Sequence, residues 1–507
     1  MPPAPYRAGL TSQTQELRIP ELPVEGTVPD WLRGTLIRNG PARFEVGERS
    51  YNHWFDGLAM LHAFTLGEGS VGYANRFLET GARREAQEAG RIRRSEFGTD
   101  PCYSLFGRVM AVFRPPVTDN ANINVVKLGD TFAALTETPL PIRFDPETLE
   151  TLGVVEFEDD LKGTITTAHP HRDPSTGTLY SYLTHFSRKS SYHLYRLEPG
   201  RSNRERIASI EVDRPAYMHS FAMTGRHLIL AEFPLVVNPT ELLTSGVPFI
   251  RNYRWEPERG TRFQVWDRAT GEHLASCTGP ALFAFHHINA FVGGTRERAS
   301  AVRAGPPNTE PEGVETNSRR EKGEVVLDLA GYEDASIIDA LYLDPLRSGQ
   351  PEMPLATPWR LRLDLDRETV SREVLSDQNI ELPRVNERRV SGRPYRYVWG
   401  TGNRVPGHFT DELVKIDVRT GVVRSWYAEG CFPGEPVFVG RPDAPPGPEG
   451  EDHGVLLSVV LDARSESSFL LILDAATLEE EARATVPHAL PLGFHGQYYG
   501  QDGAGSK

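Results

Sequence analysis

Apolar and polar residues alternate in short runs along most of the chain, as in "RLRLDLD", "ELVKIDV" and "FLLILD". A period of two puts every second side chain on one face, the signature of a half-buried β-strand. Sustained helical periodicity is rare and predicts short helices only near 82–94 and 239–244. With 46 glycines and 40 prolines between the runs, the pattern predicts an all-β chain of many short strands.

Five runs end in Asp-x-x-Thr and then resume as a second strand. They are "RFDPETLETLGVV" (Asp145, Thr148), "QVWDRATGEHLAS" (Asp267, Thr270), "RLDLDRETVSREVL" (Asp366, Thr369), "VKIDVRTGVVRSW" (Asp417, Thr420) and "LILDAATLEEEAR" (Asp474, Thr477). The Asp oxygen caps a hairpin turn, and Gly271 and Gly421 supply a positive φ. The Asp-to-Asp intervals are one or two units of roughly 50 to 60 residues. Taken as two, two, one and one units, they connect seven. This predicts a seven-bladed β-propeller, a single domain over 1–507; unrelated hairpins in a sandwich or in several β domains are the alternative. Two apolar segments break the rhythm, 100–116 ("DPCYSLFGRVMAVFRPP") and 233–255 ("FPLVVNPTELLTSGVPFIRNYRW"). Both are expected to be insertions forming a loop and helix cap over one face. The polar, proline-rich stretches 304–324 and 441–452 read as surface loops.

Composition narrows the function classes. A net charge of −14 disfavours nucleic acid, whose phosphates need a basic face. It also argues against general adhesion to anionic lipid, leaving room for a local apolar patch. Three scattered cysteines, Cys102, Cys277 and Cys431, make neither a disulfide framework nor a cysteine-zinc site and fit a reducing cytoplasm. The chain has no apolar run of about 18 residues, and "MPPAPYRAGLTSQTQ" lacks the regions of a signal peptide. A cytoplasmic location is expected.

Four of the 15 histidines share a setting of small or apolar residues: His169 in "TTAHPH", His219 in "AYMHSFAM", His286 in "FAFHHINAF" and His495 in "LGFHGQYY". An unpaired imidazole there is costly. They are spaced by roughly one, one and four blade lengths, as radial ligation of one metal on a propeller axis requires. Each alone reads more readily as a hydrogen-bonded core histidine than as a ligand. Glu137, Glu381 and Glu435 are expected in otherwise apolar strands and need donors, which the second N–H of a metal-bound imidazole supplies; taken singly, each also reads as a solvated hairpin end. Four neutral imidazoles suit iron, copper, zinc or nickel. They saturate a tetrahedral zinc but leave two positions open on an octahedral iron(II). The stretch "ITTAHPHRDP" places His169 and His171 two residues apart, so they could be a ligand pair, one ligand, or none.

The chain also resembles a known family. "LRGTLIRNGPARF", "HWFDGLAMLHAF", "LTETPLPIRFDPETLETLG", "TAHPHRDP", "YMHSFAMTGRHLILAEFPL", "FHHINAF", "GEPVFVGRPDA", "EDHGVLLSVVLD" and "LPLGFHG" are similar, in order, to motifs of the carotenoid cleavage oxygenases. These are non-haem iron(II) enzymes on a capped seven-bladed β-propeller. The resemblance covers nearly the whole chain. It implies one Fe(2+) per chain, held by His169, His219, His286 and His495, with Glu137, Glu381 and Glu435 orienting three of the imidazoles. His171 then begins the turn and is not a ligand. The implied reaction is O2-dependent cleavage of a C=C bond in a lipophilic carotenoid or apocarotenoid, giving aldehyde or ketone products, retinal among the candidates. The nearest likeness is to the animal-type branch, which includes β-carotene oxygenases and a retinoid isomerase, so isomerisation is one alternative. Stilbene-cleaving members carry a lysine just before the first of these glutamates; this chain has Thr136. The branch's "PDPCK" is matched only in part, by Thr99-Asp-Pro-Cys-Tyr103. A non-catalytic, partner-binding propeller is the remaining class. A carotenoid offers few polar handles, so an apolar tunnel must hold it by shape; Phe55, Phe106, Phe285 and Tyr498 are the expected wall. A lipophilic substrate leaves a membrane, and 103–113 and 235–250 are the expected points of peripheral contact and the tunnel mouth.

Overall fold

The computed structural model describes residues 4–100, 118–293, 323–349 and 352–501. Antiparallel sheets dominate and form an all-β, propeller-like fold. Five sheets of four to six strands and one of eight account for nearly all strands. Within a sheet, burial falls from the inside outward. Leu179–His185 is almost wholly buried, Ser190–Leu197 alternates, and Glu205–Val212 is mostly open to solvent. Strands near the axis are covered on both faces and so read as continuous apolar runs; outer strands have only one face to hide.

The eight-stranded sheet runs in the order Ala222–Met223, His227–Glu232, Thr261–Asp267, His273–Gly279, Thr369–Val374, Thr357–Asp364, Glu324–Tyr332, Phe283–Val292. Its two halves meet at a single parallel pair, Thr278 with Thr369. The ends of the chain interlace. Gly496–Gly500 pairs with Gly34–Arg43 in one sheet, and Val24–Gly26 pairs with Glu480–Val486 in the neighbouring one. Each terminus thus covers an edge that would otherwise be left unpaired.

The turn motif holds with one correction. Asp145, Asp267, Asp417 and Asp474 each accept backbone N–H bonds from residues two or three further on. In the third hairpin the capping residue is Asp364, bonded by the Asp366 and Arg367 amides, and not Asp366. Counting four residues from the capping Asp lands on the left-handed position each time: Leu149, Gly271, Glu368, Gly421 and Leu478, with φ between 55 and 75°. Leu149 and Leu478 tolerate it because their side chains are buried.

The helix expected over 82–94 is Gly81–Ala89, capped by the Thr80 hydroxyl and ended by Gly90 at φ 61°. Segment 233–255 is a hairpin, Leu235–Val237 with Tyr253–Trp255, carrying the helix Pro239–Thr244 at its tip. The cap insertion at 100–116, with Phe106, and nearly all of the 304–324 loop lie outside the described residues. Among the described residues, no helix is long and apolar enough to cross a membrane.

Adjacent sheets are locked by large side chains. Trp399, fully buried, donates to the Ala475 carbonyl at 3.0 Å and stacks on Phe438 at 4.8 Å. Trp399→Ala is expected to cost about 3–5 kcal/mol, read as a lowered midpoint of thermal or denaturant unfolding.

Candidate metal centre

Each of the four histidines sits beside or within an inner strand. His169 falls between Ile165–Thr166 and His171–Arg172, two short pieces that both pair with Leu179–His185. Pro170 has no N–H to continue the ladder, so the chain leaves the sheet there. Thr167 stabilises the exit: its hydroxyl accepts the His169 amide at 2.9 Å and donates to the His219 carbonyl at 2.6 Å. His219 and His286 stand at opposite ends of the eight-stranded sheet, His219 just before Ala222–Met223 and His286 within Phe283–Val292. The register of that last strand slips between Ala284 and His287, a bulge of the kind that re-aims a side chain. His495 immediately precedes Gly496–Gly500.

Their ligand atoms all lie within 4.8 Å of one another. The Nε2 atoms of His169 and His219 are 3.0 Å apart, and those of His286 and His495 are 3.2 Å apart. No hydrogen-bonding logic gathers four ring nitrogens this way, because neutral imidazoles offer one donor and one acceptor each. A shared cation does. The opposite nitrogens face carboxylates: His219 Nδ1 to Glu137 at 2.7 Å, His286 Nδ1 to Glu381 at 2.6 Å, His495 Nδ1 to Glu435 at 2.7 Å. These contacts fix Nδ1 as the protonated nitrogen and leave Nε2 free to ligate. Among the described residues, no carboxylate backs His169.

His171, two residues on, is outside the cluster. Its Nε2 bonds the Phe221 carbonyl at 2.8 Å and its ring packs edge-on against Phe221. That is a structural role between neighbouring strands.

The carboxylates have donors of their own. Glu137 accepts the Tyr217 hydroxyl at 2.9 Å, and Glu381 accepts the Tyr332 hydroxyl at 2.8 Å and the Leu382 amide at 2.7 Å. Glu435 accepts Arg38 at 2.6 Å, Arg384 at 2.9 Å and the Gly496 amide at 3.0 Å. Burial pushes the Glu435 carboxyl up, but Arg384, His495 and Arg38 outweigh it and hold it well below the usual carboxylate range. Burial drives the His495 imidazole down to about 3, against the pull of Glu435. Burial, followed by the three neighbouring imidazoles, holds His169 well below its ordinary value. Neutral rings are what a metal needs.

Tyr217, Tyr332, Arg38 and Arg384 were missed in the sequence. A signal existed for Arg38, a charged residue inside the apolar run "GTLIRNGPA" and only 4% exposed. Nothing marks the tyrosines, which look like ordinary core aromatics. Glu137 and Glu435 also differ from expectation in lying just outside strands.

The centre opens into a cavity of about 890 Å³ whose wall includes His219, His286 and His495. Phe55 and Phe285 line it as expected, with Trp54, Phe97 and Phe409; Thr136 lies on the wall too. Tyr498 does not: it is packed among Leu36, Phe64 and Val437 in a separate core cluster. The hairpin 233–255 contributes Pro239, Leu242, Val247 and Phe249 to the rim.

Glu381→Gln keeps the shape but removes the charge that polarises His286. It is expected to lower metal affinity about 10–100-fold, measured by chelator competition, whereas His171→Ala is expected to leave the affinity near that of the parent.

Comparison with known proteins agrees with this geometry. The family model described as retinal pigment epithelial membrane protein matches residues 10–500. The chain is 34% identical to the mitochondrial carotenoid-cleaving dioxygenase of Macaca fascicularis, over 94% of this chain and 91% of the relative. It is 32% identical to the beta,beta-carotene 15,15′-dioxygenase of Gallus gallus, over 96% of each. Among solved structures, an apocarotenoid oxygenase mutant of Synechocystis aligns over 98% of both chains at 28% identity and a TM-score of 0.83. A cobalt-substituted form of the Synechocystis enzyme aligns over 97% of this chain and 98% of the other, at 27% identity and a TM-score of 0.82. Relatives of this kind, a family model spanning nearly the full length, and four imidazoles converging before an aromatic cavity lead to one conclusion: the chain belongs to the carotenoid cleavage oxygenase family.

Proposed function

We propose that this protein is a non-haem iron(II) dioxygenase that cleaves a C=C bond of a carotenoid or apocarotenoid with O2, giving aldehyde or ketone products that include retinal when the cut is central. The observation that carries the reading is the meeting of four Nε2 atoms at the wall of a large aromatic cavity. Held by His169, His219, His286 and His495, one Fe(2+) per chain would supply O2 activation beside the bound double bond. With both oxygen atoms entering the products, no electron-donating coenzyme is required. The chain's own residues do the rest. Glu137, Glu381 and Glu435 hold three ring orientations, and aromatic walls such as Phe55 and Phe285 exclude water and align an unbranched polyene by shape.

Thr136 at the cavity wall, where stilbene-cleaving members have a lysine, favours a carotenoid over a stilbene. We further infer seven blades in one domain. The eight-stranded sheet supports this reading, since it divides at its one parallel pair into two four-stranded units. A cytoplasmic protein in peripheral contact with membrane suits a lipophilic substrate. Val247, 43% exposed at the cavity rim, is the proposed point of contact.

Three outcomes test this. Metal analysis is expected to give about one iron per chain, lost in His219→Ala and in His169→Ala. Incubation with β-carotene, a β-apocarotenal and a hydroxystilbene, followed by product mass analysis, is expected to show cleavage of a polyene; a folded protein with neither iron nor O2 uptake would sink the proposal. Val247→Glu is expected to reduce flotation with neutral liposomes, and unchanged flotation would remove the membrane contact.

A further inference from the structure

The cavity has a second polar pole that the metal centre does not use. A line of rings leads away from the imidazoles. Phe285 packs on His219 at 5.5 Å, Phe55 on Phe285 at 5.7 Å, and Phe97 on Phe55 at 5.3 Å. Next to Phe97 in the chain is Glu96, which also lines the cavity and is only 6% exposed. One of its carboxyl oxygens accepts the Thr118 hydroxyl at 2.8 Å. Among the described residues, no cation pairs with it: nearby Arg94 bonds Glu85 and Asp119 instead. Glu96 thus differs from Glu137, Glu381 and Glu435, each of which faces an imidazole.

The surroundings of this carboxyl favour its neutral form. Burial, then the negative charge of Asp56, pushes it well above the usual carboxylate range. A protonated carboxyl presents an O–H donor. Set at the end of the ring line Phe285, Phe55 and Phe97, on a wall that also carries Ser95, Thr118, Asn120 and Asn122, that donor favours an acceptor oxygen, because a ligand without one leaves a buried polar group unpaired.

We propose that Glu96 is a specificity-determining residue that donates a hydrogen bond to an aldehyde or hydroxyl oxygen at one end of the polyene. This selects an oxygenated apocarotenoid over a hydrocarbon carotenoid. By anchoring one end of a rigid rod, it also sets which double bond lies beside the imidazoles. The inference rests on the polyene-cleaving reading above.

The test uses the iron-loaded protein and Glu96→Leu, compared on a β-apocarotenal and on β-carotene. Binding is read from quenching of tryptophan fluorescence, Trp54 being on the cavity wall, and cleavage position from product masses. Glu96→Leu is expected to weaken apocarotenal binding about tenfold, to leave β-carotene binding within about twofold, and to give a mixture of cleavage positions from the apocarotenal. Glu96→Gln, which keeps an N–H donor, is expected to recover most of the apocarotenal affinity and stands in if the leucine variant does not fold. Equal losses on both ligands, or no change on either with cleavage position kept, would overturn the role of Glu96 while leaving the oxygenase reading intact. A parent protein that binds and cleaves neither polyene would overturn both.

Discussion

The structure turns on three buried glutamates. A carboxylate inside a protein is expensive unless it is paired and hydrogen-bonded, and each of these is satisfied twice over. Each takes an imidazole N–H and further donors: on Glu137 the ring and the Tyr217 hydroxyl share one oxygen, and on Glu435 the ring shares an oxygen with Arg384. Glu381 takes its ring and its tyrosine from adjacent strands of one sheet, whereas Glu435 joins Gly34–Arg43 to Glu381–Arg384 across two sheets. The three are not equivalent. Glu435 is neutralised by two arginines, whereas Glu137 leans on a tyrosine hydroxyl and Glu381 on a tyrosine hydroxyl and a backbone amide. His495 therefore has the most rigid and most strongly polarised support, and His169, with no carboxylate behind it, the least.

Much of this was legible in the chain itself. Four histidines in apolar settings, spaced by blade lengths, singled out a candidate cluster that the structure brings together, and three glutamates in apolar surroundings singled out the carboxylates that face three of them. The signal is strong because burying such groups singly would be penalised. Where reading failed, the cause was local geometry. Asp366 and Asp364 both precede a plausible turn, and only hairpin register decides between them. Tyr498 lies three residues past a ligand, yet the following strand turns its side chain into the core between sheets. Arg38 could have been suspected on the logic applied to the glutamates; Tyr217 and Tyr332 could not, because a tyrosine in a core needs no explanation until its hydroxyl is seen.

The cavity explains how one scaffold handles a substrate with almost no functional groups. Shape from aromatic rings fixes the lateral position, and the imidazoles and Glu96 lie at different places along the wall. Around the imidazoles the polar groups serve the centre; around Glu96 they are left to the ligand. Keeping these poles apart with Phe55, Phe97 and Phe285 keeps the buried acid away from the nitrogens that must remain unprotonated and free.

The interlaced chain ends carry a further consequence. His495 is delivered by Gly496–Gly500, whose partner strand among the described residues is Gly34–Arg43, far earlier in the sequence. The Asn39 amide bonds the His495 carbonyl at 2.9 Å, tying the two ends at the ligand itself. The first three imidazoles emerge from the ribosome long before the fourth. The full set of four nitrogens is therefore assembled only once two segments far apart in the sequence have met.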